Sequence, residues 1–168
     1  MLLQGNLSAS VTAAAVACAN AAGARVALNA APFSAWMHEV PGRIDLVVVN
    51  AFEAMQWAGA KTLHDAVDAI NASLLAVTLG RTGCLVRSNG REAIAIDAPS
   101  VHVVDTTGAG DVFTGAFVAQ WLTSGDCLEA AGLAVRAASD MVTRAGTLSA
   151  LPTCETLARL RAELGITR

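Results

Sequence analysis

The chain has 168 residues, 54% of them hydrophobic and 15% charged, with a net charge of −3 and a mean hydropathy of +0.51; residues 1–168 are one domain's worth of chain. No block of like charge is longer than two residues, so neither nucleic acid nor an anionic membrane surface finds a basic face here. So apolar a small chain is expected to have part of its surface covered by something outside this sequence.

In chain order, Met1 to Gln4 reads as the end of a buried strand, and Ser8 or Ser10 can cap a helix through the alanine-rich stretch to a stop at Gly23. A strand comes next at Arg25–Asn29, then an irregular connection marked by Pro32, Pro41 and Gly42. Ile44 to Val49 is a continuous apolar run, the pattern of a strand buried on both faces. Residues 51–58 and 62–70 read as short helices, and Leu74–Leu79 as another buried strand. Gly83–Val86 and Ala93–Ile96 read as two strands turning at Asn89-Gly90, a strong hairpin signal. Val101–Val104 is expected as one more strand, followed by a glycine turn and helices near 111–123, 127–143 and 153–164. Strands alternating with helices call for a mostly parallel sheet covered on both faces, with a hairpin at one edge.

Cys18, Cys84, Cys127 and Cys154 are scattered without a CxxC, and His38, His64 and His102 stand alone, so zinc spacing and a disulfide framework are both missing. The cysteines are expected as small core residues in a reducing, cytoplasmic setting. The apolar stretch Val11–Ala24 has no preceding basic residue and is too short to span a bilayer, so no membrane role is expected.

The most informative segment runs from Val103 to Phe117. Two hydroxyl residues, Thr106 and Thr107, precede a turn of Gly108, Ala109 and Gly110, and a helix is expected to start at Gly110. Free N–H groups and the positive dipole end at such a start make an anion site. Phe113 stands where the third glycine of a dinucleotide fingerprint belongs, and Asp111 comes directly after the glycines. A carboxylate beside an anion site repels phosphate unless it has a task there, and proton abstraction from an attacking hydroxyl is such a task. The competing reading is that Asp111 only caps the helix while the glycines only turn the chain.

The run DTTGAGDVFTGAF resembles the C-terminal signature of the ribokinase-like (PfkB) family of carbohydrate kinases. VALNAAP at 26–32, VVVNAFEA at 47–54, VTLGRTG at 77–83 and VTRAGTLSALP at 142–152 resemble further family segments in the same order. The resemblance implies an α/β fold, Rossmann-like with three α/β/α layers around a mostly parallel sheet. It also implies ATP-dependent phosphoryl transfer to an alcohol of a sugar or related small molecule. Asp111 matches the general base, and Gly108, Ala109 and Gly110 match the anion hole. Asn50 and Glu53 match an NxxE motif that helps arrange Mg²⁺ and phosphates; alone, that motif would be a helix cap with an exposed glutamate. Thr78, Gly80, Arg81, Thr82 and Gly83 match the nucleotide-binding turn.

Asp105 and the Thr107 carbonyl match part of a monovalent-cation site, usually K⁺. Ala150 stands where a serine is common, with Ser149 one place earlier, and Thr147 replaces a frequent alanine, so the resemblance leaves K⁺ open. Asp140 departs from a helix that is usually more apolar. The family's N-terminal half and its β-sheet lid, which grip the sugar, have no counterpart before Leu2. The chain therefore reads as the C-terminal half of a kinase. A nucleotide-binding fragment that needs a separate N-terminal half or a second copy of itself is the rival reading. A nicotinamide oxidoreductase is disfavoured by Phe113 and by the lack of an acidic residue about 20 positions beyond Gly108.

Overall fold

The computed structural model describes residues 1–167, which divide into two compact units. Met1–Leu79 and Leu85–Ile94 make the first, and Gly80–Cys84 with the residues from Ala95 onward make the second.

The first unit is built on parallel strands β1 (Leu2–Gln4), β2 (Ala27–Asn29), β3 (Leu46–Asn50) and β4 (Leu74–Thr78). The short strands β5 (Cys84–Ser88) and β6 (Ile94–Ile96) complete the order β1-β2-β3-β4-β5-β6. Helices α1 (Ala9–Ala21), α2 (Ala51–Ala58) and α3 (Leu63–Ala69) connect the parallel strands. Ser8 starts α1, its hydroxyl accepting the Val11 N–H at 3.4 Å, and Gly23 lies just past the helix at φ +67°. Leu46, Val47, Val48 and Val49 are all buried, as a run buried on both faces requires. Val47 and Val49 pack in a core with Val16, Leu28, Ile70, Leu75 and Val77. Truncating Leu28, which is fully buried there, to alanine is expected to cost about 2–5 kcal/mol.

The hairpin turn forms as its sequence requires, with Asn89 at φ +50° and Gly90 at φ +68°, the paired left-handed geometry that Asn-Gly favours. Three expectations are corrected. β1 is not buried on both faces, since Leu3 is buried but Leu2 is 47% exposed. The connection after β2 holds a 3₁₀ helix at Ala35–Glu39, anchored by buried Met37. The expected strand Val101–Val104 does not form. Val101, Val103 and Val104 are exposed, and the N–H groups of Val104 and Asp105 both turn to the Val142 carbonyl, at 2.8 and 3.2 Å, in place of a strand partner.

The second unit carries α4 (Ala109–Ser124), α5 (Cys127–Met141) and α6 (Cys154–Glu163). Asp126 caps α5 by accepting the N–H groups of Leu128 and Glu129 at 2.7 and 3.2 Å. Val112 of α4, Leu133, Ala137 and Met141 of α5, and Leu160 of α6 form its core with Ala150. The fully buried Gln120 is satisfied there by the Arg161 guanidinium at 3.1 Å.

The cysteine expectation holds for Cys84 alone. Its thiol is buried and pushed up to about 12 by desolvation. Cys18 and Cys154 are exposed and Cys127 is half-buried. Cys18 lies off the face of α1 that buries Thr12, Val16 and Ala19, and Cys154 opens α6 at its solvent-facing start. No helix among the described residues is long and apolar enough to cross a membrane.

Candidate functional site

In the first unit, β3 and β4 end side by side, with Asn50 opposite Thr78 in their parallel register. Carboxyl ends of adjacent parallel strands are where open α/β sheets bind ligands. Asn50 caps α2, its Oδ1 accepting the Glu53 N–H at 2.8 Å, while Glu53 Oε2 accepts the Asn50 N–H at 2.8 Å. The NxxE motif is thus a reciprocal capping box. The glutamate is not exposed, as a simple cap would have it, but buried at 8% relative exposure. Burial raises its pKa, opposed by the hydrogen bond from Asn50. Thr78 is half-buried, and its hydroxyl points back to the Val49 carbonyl at 3.5 Å.

The second unit holds the remaining expected residues. Gly80, Arg81 and Thr82 form an exposed 3₁₀ turn, with Gly80 at φ +61° and open space where its Cβ would lie. Gly83 is buried at φ +106°, and a Cβ there would stand 2.0 Å from the Ile96 carbonyl oxygen, so its glycine is structural.

The turn before α4 is built from three interactions. Asp105 Oδ1 accepts the Thr107 N–H at 2.9 Å, and its Oδ2 accepts the Gly146 N–H at 3.1 Å. These bonds, the one from Thr107 first, hold the Asp105 carboxyl below the usual range. Gly108 then takes φ +84°, and a Cβ on it would meet Met141 Cε at 2.9 Å and Thr147 Cγ2 at 3.6 Å. Gly108 is the N-cap residue of α4, and no side chain caps the helix.

Past Gly108 the first turn of α4 is open. The Ala109 N–H bonds the Thr106 carbonyl at 3.2 Å and the Val112 N–H bonds that of Gly108 at 3.0 Å. Between them, the Gly110 and Asp111 N–H groups have no backbone acceptor. A Cβ on Gly110 would meet nothing within 4 Å, so internal packing does not account for that glycine. Asp111 is exposed in the first turn, and its carboxylate takes no hydrogen bond or ion pair from the described residues. It therefore makes no capping hydrogen bond among the described residues. Phe113 is buried and tilts against Phe117 with centroids 5.9 Å apart, so the position a dinucleotide fingerprint leaves to glycine is a core anchor here.

Sequence reasoning found both groups of residues, and with the VTRAGTLSALP segment it reached Thr147, but it missed Met141 and Gly146, which come from the end of α5 and the loop after it. Gly146 lies within that segment, whereas Met141 precedes it. Asp140, an unexplained departure in the sequence, proves to be ion-paired with Arg144 at 2.6 Å and Arg159 at 3.3 Å. No group of three His, Cys, Asp or Glu side chains capable of holding a metal occurs among the described residues. The oxygen donors Asn50 and Glu53 nonetheless suit Mg²⁺, which prefers oxygen, keeps several waters and uses one or two carboxylates. The space over Gly110 and its unbonded N–H likewise suit a phosphate.

The pfkB family carbohydrate kinase model matches residues 2–154 of the chain. Ribokinase of Haemophilus influenzae is 33% identical over 162 residues, covering 91% of this chain and 52% of that protein. The structure of Arabidopsis thaliana ribokinase complexed with ribose and ATP is similar with a TM-score of 0.83 and 26% identity, over 95% of this chain and 54% of that one. Fructokinase of Vibrio cholerae, in its fructose-, ADP- and calcium-bound form, is similar with a TM-score of 0.76 and 25% identity, over 90% of this chain and 55% of the other. The fold is ribokinase-like, and the chain spans about half the length of the curated relatives it matches.

Proposed function

We infer the function from one established premise: this chain belongs to the pfkB family of carbohydrate kinases. We propose that it serves ATP-dependent phosphoryl transfer to an alcohol of a sugar or related small molecule. The observation that carries this reading is the first turn of α4, where unbonded N–H groups, an unfilled glycine and a partnerless carboxylate stand within two residues. No hydrogen bond or packing contact within the fold accounts for the three, and together they match what phosphoryl transfer needs: oxyanion donors and a base.

In this reading the Gly108–Gly110 turn holds phosphoryl oxygens by backbone N–H groups and the helix dipole. Asp111 accepts the proton of the attacking hydroxyl, a task open to an uncommitted carboxylate. Gly80, Arg81, Thr82 and Gly83, with Thr78, bind nucleotide; the open left-handed turn at Gly80 lets backbone come close to a ligand. Asn50 and Glu53 would hold Mg²⁺, which supplies charge neutralisation on the phosphates. K⁺ at Asp105 and the Thr107 carbonyl would share that carboxylate with the two backbone N–H groups it already accepts. Ribose is the first acceptor to try, given the ligand of the Arabidopsis ribokinase structure. The proposal includes a reducing, cytoplasmic setting, in which scattered cysteines stay as thiols.

A second reading rests on the chain's span of about half its relatives: a nucleotide-binding part that turns over only with an N-terminal half or a second copy supplied. ADP release from ATP·Mg²⁺ over a panel of sugars, with and without a relative's N-terminal half, tests both. Acceptor-dependent release abolished by Asp111→Asn is expected. Release that Asp111→Asn leaves intact would overturn the base assignment, and release only with the added half would select the second reading.

A further inference from the structure

The side chain of Asp140 belongs to neither the hydrophobic core nor the α4 turn, yet it is nearly enclosed, at 19% side-chain exposure. Its Oδ2 receives Arg144 Nη2 at 2.6 Å, and the same nitrogen donates to the Ala150 carbonyl at 2.9 Å. Arg144 and Ala150 bracket the loop in which Gly146 donates to Asp105 at 3.1 Å. Asp105 in turn fixes Thr107, and Thr147 of the same loop lies against Gly108. Met141, next to Asp140 in sequence, packs against Gly108 as well. Two sets of hydrogen bonds, Asp140 to Arg144 to Ala150 and Gly146 to Asp105 to Thr107, are therefore joined through the short backbone of the 144–150 loop.

We propose that Asp140 is a positioning residue for the phosphate-binding turn, acting through Arg144 to hold the 144–150 loop against Asp105. The claim rests on the reading of Gly108–Gly110 as a phosphate site. The chemistry supports a clamp. A guanidinium shared between a carboxylate and a carbonyl is fixed in direction by its planar fork, and the pairing is partly shielded from water. Ala150 is fully buried, so its carbonyl is a rigid anchor. Without the carboxylate, Arg144 gains freedom to leave Ala150, and the loop loses the restraint that keeps the Gly146 N–H on Asp105. Arg159 meets the other carboxylate oxygen at 3.3 Å from α6, bonds Glu163 besides, makes no hydrogen bond to the loop among the described residues, and so serves as a control.

The test is amide hydrogen exchange at Gly146 and Thr107 in the full chain, read beside calorimetric titration with ATP·Mg²⁺, for Asp140→Ala, Asp140→Glu and Arg159→Ala. Asp140→Ala is expected to speed exchange at both amides about tenfold and to weaken nucleotide binding by a similar factor. Asp140→Glu restores most of both, and Arg159→Ala changes neither. If Asp140→Ala does not fold, Arg144→Lys replaces it, because an ammonium lacks the fork. Unchanged exchange in the folded variant overturns the proposal, as does faster exchange with unchanged affinity. Should the parent chain bind no nucleotide, the phosphate-site reading fails, while the exchange rates still decide whether Asp140 holds the turn.

Discussion

Asn50 and Glu53 bond each other reciprocally at 2.8 Å, side chain to backbone in both directions, at the carboxyl end of a central parallel strand. The pair starts α2, and it also buries a carboxylate that has no ion-pair partner among the described residues. Losing the cap by Asn50→Ala is expected to cost about 1 kcal/mol, seen as a lower midpoint in chemical denaturation.

Glu53→Gln separates the two roles. A glutamine amide oxygen still accepts the Asn50 N–H, and the burial of charge is relieved. Because the Glu53 pKa is raised in the fold, its ionised form opposes folding, and stability falls as pH rises past its ordinary value of 4.5. The variant is therefore expected to be at least as stable as the parent at pH 7, and to lose the Mg²⁺ dependence of nucleotide binding. Thermal melting and a Mg²⁺ titration at fixed ATP check the two halves.

Three glycines of the α4 region make a graded series. Gly108→Ala forces a side chain into φ +84° against Met141, at an expected cost of about 1–2 kcal/mol. Gly110→Ala and Gly115→Ala place a methyl in open space on a helix and are expected to stabilise the chain by about 0.5–1 kcal/mol each. Of the two stabilised variants, only Gly110→Ala should remove nucleotide affinity, since its methyl occupies the space read as the phosphate site. Equal affinity in the two stabilised variants would refute that placement.

Asp105 predicts an acid limb of stability. Its carboxyl is held below the ordinary 3.8 by the Thr107 and Gly146 N–H groups, so the folded chain binds fewer protons than the unfolded one in that range. The contribution is present in full above pH 3.8 and is lost as pH falls through the lowered value. Asp105→Ala is expected to melt below the parent at pH 7, with the difference shrinking as the pH is taken below 3.8. Melting curves from about pH 2 to about pH 7 read it directly.

Much of this was legible from residue order because each signal was local. Leu46–Val49 is apolar without interruption and is buried on both faces; Asn89-Gly90 can turn a hairpin and does. Val101–Val104 misled because three valines in four residues carry β propensity whether or not a partner strand is at hand. There the backbone of Val142 claims the hydrogen bonds. Leu2 looked interior by its type, but only Leu3 faces the core. At the site, the glycine turn and Asp111 were readable from one short contiguous motif, whereas the Asp105–Gly146 bond spans 41 positions and leaves no mark in either local pattern. Asp140 illustrates the same limit, since a charge in an apolar helix looks misplaced until Arg144 and Arg159 are seen to meet it.

The central claim is that the first turn of α4 binds the phosphates of a nucleotide. Calorimetric titration of the folded chain with ATP·Mg²⁺, run beside Gly110→Ala, tests it most directly. Saturable binding at one site per chain that Gly110→Ala abolishes, while melting above the parent, is the predicted result. A folded parent chain that binds no ATP, or a Gly110→Ala variant that binds it as tightly as the parent, would contradict the account.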